Sequence, residues 1–426
     1  ALIFSFNSQA RLVEEGLLIE GDEHKILFSL LSKNKEFTLD HITSQSYELY
    51  GPKGTTEYLK SLRSRYFFYY KKILSPLSHK SASYDYPKHH SIVAQMKKLE
   101  QEFPSFIKVQ SLGQSYKKNQ LLSAHLADHK KSKEELKKLP HVKLIANMHG
   151  DEIVGREMMI RLMRDLAQNH SDLLKRVQVS ILPSMNPDGA DLRRRGNYKY
   201  VDLNRDFPDF STNDNTNTTM DRAIETVHVM NWQKENHFAL SLNFHGGTEV
   251  VNYPWDTVAD KHPLYDLVLS LSNDYASTID GMHDSEEFPG GIVNGYKWYE
   301  VDGGMQDWSY FYHNDLQLTV EVSHIKWPRY QEVDIYYQRH LPSLLRFIQS
   351  SLTGLGFFIN DNSSLPHEGK VKIYRTRDNL YIGEFTYTDG YFYKVLPADE
   401  EFTFILPQET TFSHRVSQDD PLYYSL

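Results

Sequence analysis

The stretch Val142-Lys143-Leu144-Ile145-Ala146-Asn147-Met148-His149-Gly150-Asp151-Glu152 passes from an apolar, strand-like segment straight into a histidine and two acids, and residues 153–168 beyond it read as a helix. Two further short apolar runs, Val177 to Leu182 and Phe238 to Phe244, follow with helical stretches between them. Ahead of it, Ile92, Met96, Leu99 and Phe103 recur at helical spacing, which places one apolar stripe against a sheet. This alternation predicts an α/β domain over residues 84–350 with a largely parallel or mixed sheet. In such sheets the loops at strand C-terminal ends share a crevice, so residues there are the candidates for chemistry.

The flanks have a different texture. Residues 1–83 mix short apolar runs with polar turns, and Tyr66-Phe67-Phe68-Tyr69-Tyr70 reads as a strand. No chemistry can be assigned to this accessory region from its residues. Residues 351–426 read as all β: Val371 and Ile373 alternate with lysines, Asp389-Gly390 marks a hairpin turn, and Phe402, Phe404 and Leu406 alternate again. A small C-terminal β-sandwich is the expectation.

Composition narrows the chemistry. The 426 residues contain no cysteine, which removes disulfides, thiolate nucleophiles and Cys-bound metal, and leaves His and carboxylate as metal ligands. A net charge of −9 argues against general affinity for nucleic acid. No run of about 18 apolar residues occurs, so no membrane span is expected. The chain begins Ala1-Leu2-Ile3 rather than with Met, as it would after removal of a leader; export from a bacterial cell, to a secreted or periplasmic location, is the expectation. A trimmed cytosolic chain would begin in the same way.

His149 and Glu152, three residues apart where a strand gives way to a helix, can turn towards one point. Alone, the pair is a weak signal, and its ordinary reading is a loop histidine beside a helix-capping acid. A second strand ends in His245-Gly246-Gly247, and with His245 the set becomes two imidazoles and a carboxylate, a donor set that leaves a fourth metal position open. In Leu316 to Ser323, Leu316, Leu318, Val320 and Val322 alternate with Gln317, Thr319, Glu321 and Ser323, so Glu321 points away from the aliphatic face. A carboxylate there is a base or half of a salt bridge. Asn204-Arg205 is suited to hold a terminal carboxylate, whereas composition cannot choose which of Arg193, Arg194 and Arg195 faces inward.

Six blocks then carry a resemblance: His149-Gly150-Asp151-Glu152, Asn186-Pro187-Asp188-Gly189, Asp202-Leu203-Asn204-Arg205, Asn243-Phe244-His245-Gly246-Gly247, Gly303-Gly304-Met305-Gln306-Asp307 and Glu321-Val322-Ser323. In this order they resemble the M14 metallocarboxypeptidases, most of all the regulatory N/E branch with carboxypeptidases N, E, M and D. The resemblance covers about residues 84–349 and implies an α/β/α sandwich around a mixed central sheet there, and residues 352–426 resemble the transthyretin-like sandwich of that branch. It implies one zinc ion per chain on His149, Glu152 and His245, with Glu321 as general base and then proton donor. Arg195 matches the arginine that polarises the scissile carbonyl, Asn204 and Arg205 the carboxylate clamp, and Tyr299 the mobile tyrosine that closes over substrate. Asp256, in Asn252-Tyr253-Pro254-Trp255-Asp256, matches the pocket acid that pairs with Lys or Arg, assisted by Gln306.

The implied protein is a monomeric exopeptidase acting on peptide and protein C-termini and preferring a terminal Lys or Arg. A bacterial cell-wall peptidase cutting diaminopimelate-containing stem peptides is the alternative enzyme, and an inactive scaffold used for binding is a third reading. Two departures bear on outer subsites: a shorter loop between Gly189 and Arg195, and Lys118-Asn119-Gln120-Leu121 where the family has Gly-Arg before the leucine. Residues 1–83 match nothing in the resemblance and would serve as a propeptide-like cover or as an accessory module.

Overall fold

The structure is a computed structural model that describes residues 12–21, 23–34, 36–43, 45–73 and 85–426. The expected junction between residues 83 and 84, and the first three residues, lie outside the described residues.

The N-terminal region folds as β1 (Glu15–Glu20), α1 (His24–Leu31), β2 (Thr38–Asp40), β3 (Ser46–Gly51), α2 (Thr55–Leu62) and β4 (Tyr69–Lys72), with sheet order β2-β3-β1-β4. All of its pairings are antiparallel. Leu17, Ile19, Leu27, Leu31, Leu49, Leu59 and Phe68 form a core of its own. The aromatic run becomes a strand only from Tyr69: Phe68 points into that core, while Phe67 and Tyr69 are exposed and meet edge to face. Phe68 is the fully buried ring of the run, and Tyr66 and Tyr70, half-buried, pack against the same core.

The central domain begins with α3 (His89–Glu102), β5 (Ile107–Gln114), β6 (Gln120–Leu126), α4 (Lys133–Lys137), β7 (His141–Ala146), α5 (Val154–Asn169), β8 (Gln178–Leu182), α6 (Pro187–Leu192) and α7 (Ile224–Lys234). It continues with β9 (Leu240–His245), β10 (Glu249–Tyr253), α8 (Tyr265–Ala276), β11 (Ile292–Asn294), α9 (Gly295–Trp298), α10 (Met305–His313), β12 (Leu316–Val322) and α11 (Val333–Ser350). Eight strands form one sheet in the order β11-β10-β12-β9-β7-β8-β6-β5. Its centre, β12-β9-β7-β8, is parallel, and antiparallel neighbours flank it, so the sheet is mixed and helices cover it, as expected. The central strands are buried on both faces, which is why they read as nearly continuous apolar runs. Parallel pairing brings the C-terminal ends of β7, β9 and β12 side by side.

The C-terminal region comprises β13 (Gly354–Phe358), β14 (Gly369–Arg375), β15 (Leu380–Tyr387), β16 (Tyr391–Val395), β17 (Glu401–Ile405), β18 (Thr411–Arg415) and β19 (Leu422–Ser425). Two sheets, β16-β13-β19 and β15-β14-β17-β18, face each other across Phe357, Phe385, Phe392, Phe404 and Phe412. Asp389 and Gly390 do take left-handed φ values of 53° and 64°, but the turn carries the chain from one sheet to the other rather than closing a hairpin within one sheet.

Candidate active site

Three loops converge at the C-terminal ends of the central strands. After β7, Asn147 adopts a φ of 56°, a region asparagine tolerates, and its Nδ2 donates to the carbonyls of His149 and Gly150 at 2.9 and 3.3 Å. The turn swings His149 and Glu152 back over the sheet. His245 closes β9 two strand positions beyond Asn243. Nδ1 of His149 and Nδ1 of His245 lie 3.1 Å apart, and Oε2 of Glu152 lies 3.0 and 2.9 Å from them.

The donor chemistry fits a metal ion. Nε2 of His149 is engaged by Oδ1 of Asp202 at 3.0 Å, which orients the lone pair of Nδ1 towards the shared point. Two nitrogen lone pairs and a carboxylate oxygen meeting this closely repel one another unless a cation or proton lies among them. Bonds of about 2.0–2.1 Å to a tetrahedral zinc would put its ligand atoms about 3.3 Å apart, near the observed spacing. Burial alone would raise the Glu152 carboxyl, but His149 and His245 outweigh it and hold it well below its usual range. The Glu152 carboxylate is therefore held ionised where a divalent cation would sit.

Glu321 enters from the adjacent strand. Parallel pairing of β9 with β12 sets Glu321 directly opposite His245, and its Oε2 is buried without a hydrogen-bond partner. Burial, and then the charge of Glu152, push its carboxyl up to about 8. A bound divalent cation acts in the opposite direction.

Of the three consecutive arginines, Arg195 faces inward. Its Nε donates to Oδ2 of Asp202 at 2.9 Å, and Nη1 lies 3.5 Å from Oε1 of Glu152. Arg193 instead meets Asp85, and Arg194 stacks on Tyr200 with its guanidinium carbon 4.0 Å from the ring centre. Asn204 follows closely, its N–H bonded to Oδ1 of Asp202 and its Oδ1 accepting from Met305 N–H. Arg205 is buried, donates Nη1 to the Asn204 carbonyl at 2.9 Å, and leaves Nε unpaired. A buried guanidinium with an unsatisfied donor is poised for an external anion.

Asp256 is buried with Gln306, whose Nε2 donates to its Oδ1 at 2.9 Å. Burial is the main reason its carboxyl is pushed up to about 7. Gly295 lies against it: a Cβ there would fall 1.7 Å from Oδ1 of Asp256, so only glycine leaves this carboxylate its place. Asp307 accepts from the backbone N–H groups of Asp256 and Thr257, fixing the loop that aims the acid. Tyr299 follows α9, and its hydroxyl donates to Oδ1 of Asp40 at 2.7 Å.

All ten expected site residues thus lie in one region. Sequence reasoning assigned no role to Asp202, although it stands inside the Asp202-Leu203-Asn204-Arg205 block, nor to Asp307, beside Gln306. It missed Asp40, His41 and Lys326 altogether, and no local signal marks them. Lys326 Nζ reaches Glu48 Oε2 at 2.8 Å, and Asp40, His41 and Glu152 offer ligand atoms within 4.8 Å of one another.

The zinc carboxypeptidase family profile matches residues 92–343. Carboxypeptidase SOL1 of Arabidopsis thaliana is 39% identical over 230 residues, 51% of this chain and 46% of that protein. Carboxypeptidase D of Homo sapiens is 33% identical over 323 residues, 67% of this chain and 23% of that protein. Carboxypeptidase M of Mus musculus is 30% identical over 363 residues, 78% of this chain and 81% of that protein. The chain therefore spans about half the length of the first of these relatives and about a quarter of the second. Among solved structures, a carboxypeptidase A from Helicoverpa armigera matches with a TM-score of 0.62 at 15% identity, covering 80% of this chain and 98% of that one. Thrombin activatable fibrinolysis inhibitor matches at 0.58 and 13%, covering 79% and 98%. At such identities the likeness concerns the fold alone.

Proposed function

The chain belongs to the zinc carboxypeptidase family, and from that premise we propose that it is a zinc-dependent exopeptidase removing the last residue of peptides and proteins, with preference for Lys or Arg. The observation that carries the reading is the convergence of His149, Glu152 and His245 on one point beside the unpaired carboxylate of Glu321. Bound there, zinc supplies Lewis acidity that lowers the pKa of water at its open position.

The chain's own groups supply the remainder. Asn204 and Arg205 hold the terminal carboxylate of the substrate, which sets the scissile carbonyl near Arg195. Arg195 stabilises the negative charge that develops on that carbonyl oxygen. Glu321 takes the proton of the attacking water and returns it to the departing amine. Tyr299 closes over the bound residue, and Asp256, supported by Gln306, pairs with its cationic end.

Preference for Lys or Arg over diaminopimelate rests on the charge around Asp256. Asp209 stands near enough to raise its carboxyl further, and Asp256 in turn raises that of Asp307, so three carboxyl groups gather at the pocket end, with Arg205 acting on Asp256 in the opposite direction. Diaminopimelate carries a second carboxylate beside its side-chain amine, and that group would meet this acidity. Secretion is part of the proposal; among the described residues no helix is long and apolar enough to cross a membrane.

The test compares peptides ending in Arg and in Phe with a muropeptide, before and after chelation and after readdition of zinc. Zinc-dependent release of Arg in preference to Phe is expected. Preferential cutting of the muropeptide would move the assignment to the cell wall, and absence of zinc-restored hydrolysis from every substrate would leave a binding scaffold.

A further inference from the structure

In the first turn of α10, Gln306 donates to Asp256, and Asp307 accepts from the N–H groups of Asp256 and Thr257. Tyr310 lies three and four positions further along, on the same face of the helix. Its ring centre is 5.6 Å from that of Trp255, the residue before Asp256, and 4.3 Å from that of His262, which itself packs on Trp255 at 4.8 Å. The pocket acid is thus held from α10 twice, by hydrogen bonds at the helix start and by packed rings one turn later.

Tyr310 also meets the C-terminal sandwich. Lys394, on β16, is only 1% exposed, and its Nζ lies 4.4 Å from the centre of the Tyr310 ring and 3.9 Å from that of Phe385 on β15. The same ammonium donates to Oδ1 of Asn314, and Nδ2 of Asn314 donates to the carbonyl of Tyr393 at 3.1 Å. Asn314 ends α10 with a left-handed φ of 64°, so two neighbouring residues of β16 grip the helix at its C-terminal cap. Towards the central sheet, α10 is tied by Ser309 to Gln317 of β12 at 2.9 Å; Lys394 supplies the hold from the sandwich.

A lysine is a costly way to fill such a space. Burial pushes its ammonium well below its usual range, with Asp315 acting in the opposite direction. An apolar side chain of similar length would avoid that cost. What the cation adds is direction: attraction to two ring faces and a hydrogen bond to one amide oxygen fix Tyr310 and Asn314 together. The nine residues of α10 span only about 13 Å, so a constraint at its cap reaches Gln306 and Asp307 at its start. A misplacement of about 1 Å at a group that positions substrate costs up to about 100-fold in rate.

We propose that Lys394 is a positioning residue for substrate choice: from the C-terminal sandwich it fixes Tyr310 and Asn314, and α10 and Trp255 carry that constraint to Asp256 and Gln306. The inference rests on the carboxypeptidase reading and gives the sandwich a part in its specificity. Lys394 touches no substrate. Its effect is on where the pocket acid meets the cationic end of the terminal residue.

The test uses the full zinc-loaded chain and three variants. Lys394→Met keeps length and apolar packing, Lys394→Arg keeps the cation, and Asn314→Gly suits the left-handed cap while removing both side-chain links to β16. Measured are kcat and KM for peptides ending in Arg and in Phe, and affinities for the same peptides with the scissile amide reduced to a methyleneamine. Lys394→Met is expected to lower the Arg-to-Phe ratio of kcat/KM at least fivefold, chiefly by raising KM for the Arg peptide, with zinc content at one per chain. Asn314→Gly should lower the ratio by less, and Lys394→Arg should retain more than half of it. An unchanged ratio in Lys394→Met and Asn314→Gly, or equal losses for both peptides, overturns the positioning role while leaving the carboxypeptidase reading standing. Should Lys394→Met fail to fold, Asn314→Gly decides alone. A wild type that treats the two peptides alike removes the basic pocket and the proposal with it. If no form hydrolyses either peptide, the catalytic reading falls, and the positioning role stands only if the relative affinity for the two analogues moves at least fivefold in the variants.

Discussion

Oδ1 of Asp202 lies 3.0 Å from Nε2 of His149, on the ring edge opposite the nitrogen that faces Glu152 and His245. The same carboxylate receives Nε of Arg195 at 2.9 Å and the N–H of Asn204 at 3.0 Å. One buried acid thus orients a candidate metal ligand, the arginine beside it and the backbone of the clamp. Burial would raise its carboxyl, but Arg195 and His149 outweigh burial and hold it well below the usual range.

Removal of that charge should be felt first in metal binding. Asp202→Asn is expected to weaken zinc affinity about 10- to 100-fold, because the ring loses the partner that fixes its tautomer and its basicity. Competition against a chromophoric chelator measures this directly. Unchanged affinity would mean that His149 is oriented by something else.

Glu321 should behave differently. It lies beside His245 in the register of β9 and β12, but its proposed task is to move a proton rather than to hold the metal. Glu321→Gln is expected to lower kcat by at least about 10²- to 10⁴-fold while zinc content stays at one per chain. Activity retained in a zinc-loaded variant would remove Glu321 from the role of base.

Much of this arrangement was legible in the sequence, for physical reasons. Runs such as Leu144-Ile145-Ala146 and Leu240-Ser241-Leu242 are buried on both sheet faces, and the functional side chains follow immediately at the strand ends. Asn204, Arg205 and Gln306 are packed within motif blocks and came with them. Asp40 had no such marker. Its meaning lies in pairing with Arg195 across 155 positions of chain, and an acid at the end of a short strand has many ordinary uses. The turn at Asp389-Gly390 was legible as a turn, but its crossing between sheets depends on which strands β15 and β16 find as partners, which local residues do not specify.

The raised carboxyl of Asp256 gives the specificity a pH dependence with a definite sign. Burial brings the group up to about 7, so it is neutral below that pH and anionic above it. Only the anion pairs with a cationic side chain. The ratio of kcat/KM for peptides ending in Arg and in Phe should therefore rise with pH, by up to about tenfold per unit on the acid side of the transition. Asp256→Ala should lower the ratio and make it flat with pH. A flat ratio in the wild type would dissociate Asp256 from the choice of substrate.

Stability of the site depends on a second buried pair behind it. Nζ of Lys143, on β7, lies 2.8 Å from Oδ2 of Asp315, which directly precedes β12, and both side chains are 0% exposed. Gln233 and Ser309 share the ammonium, and Gln233 and Ser241 share the carboxylate, so each charge is multiply bonded. The pair joins the strand that leads to His149 to the strand that carries Glu321. Lys143→Ala would leave the Asp315 charge buried without its counterion, a loss of about 3–5 kcal/mol, whereas an isosteric apolar replacement of both partners costs far less. Thermal and urea unfolding should show a large drop for Lys143→Ala and substantial recovery in Lys143→Met combined with Asp315→Leu. Equal losses in the two proteins would mean that the pair's net attraction, rather than the cost of an orphaned charge, holds the strands together.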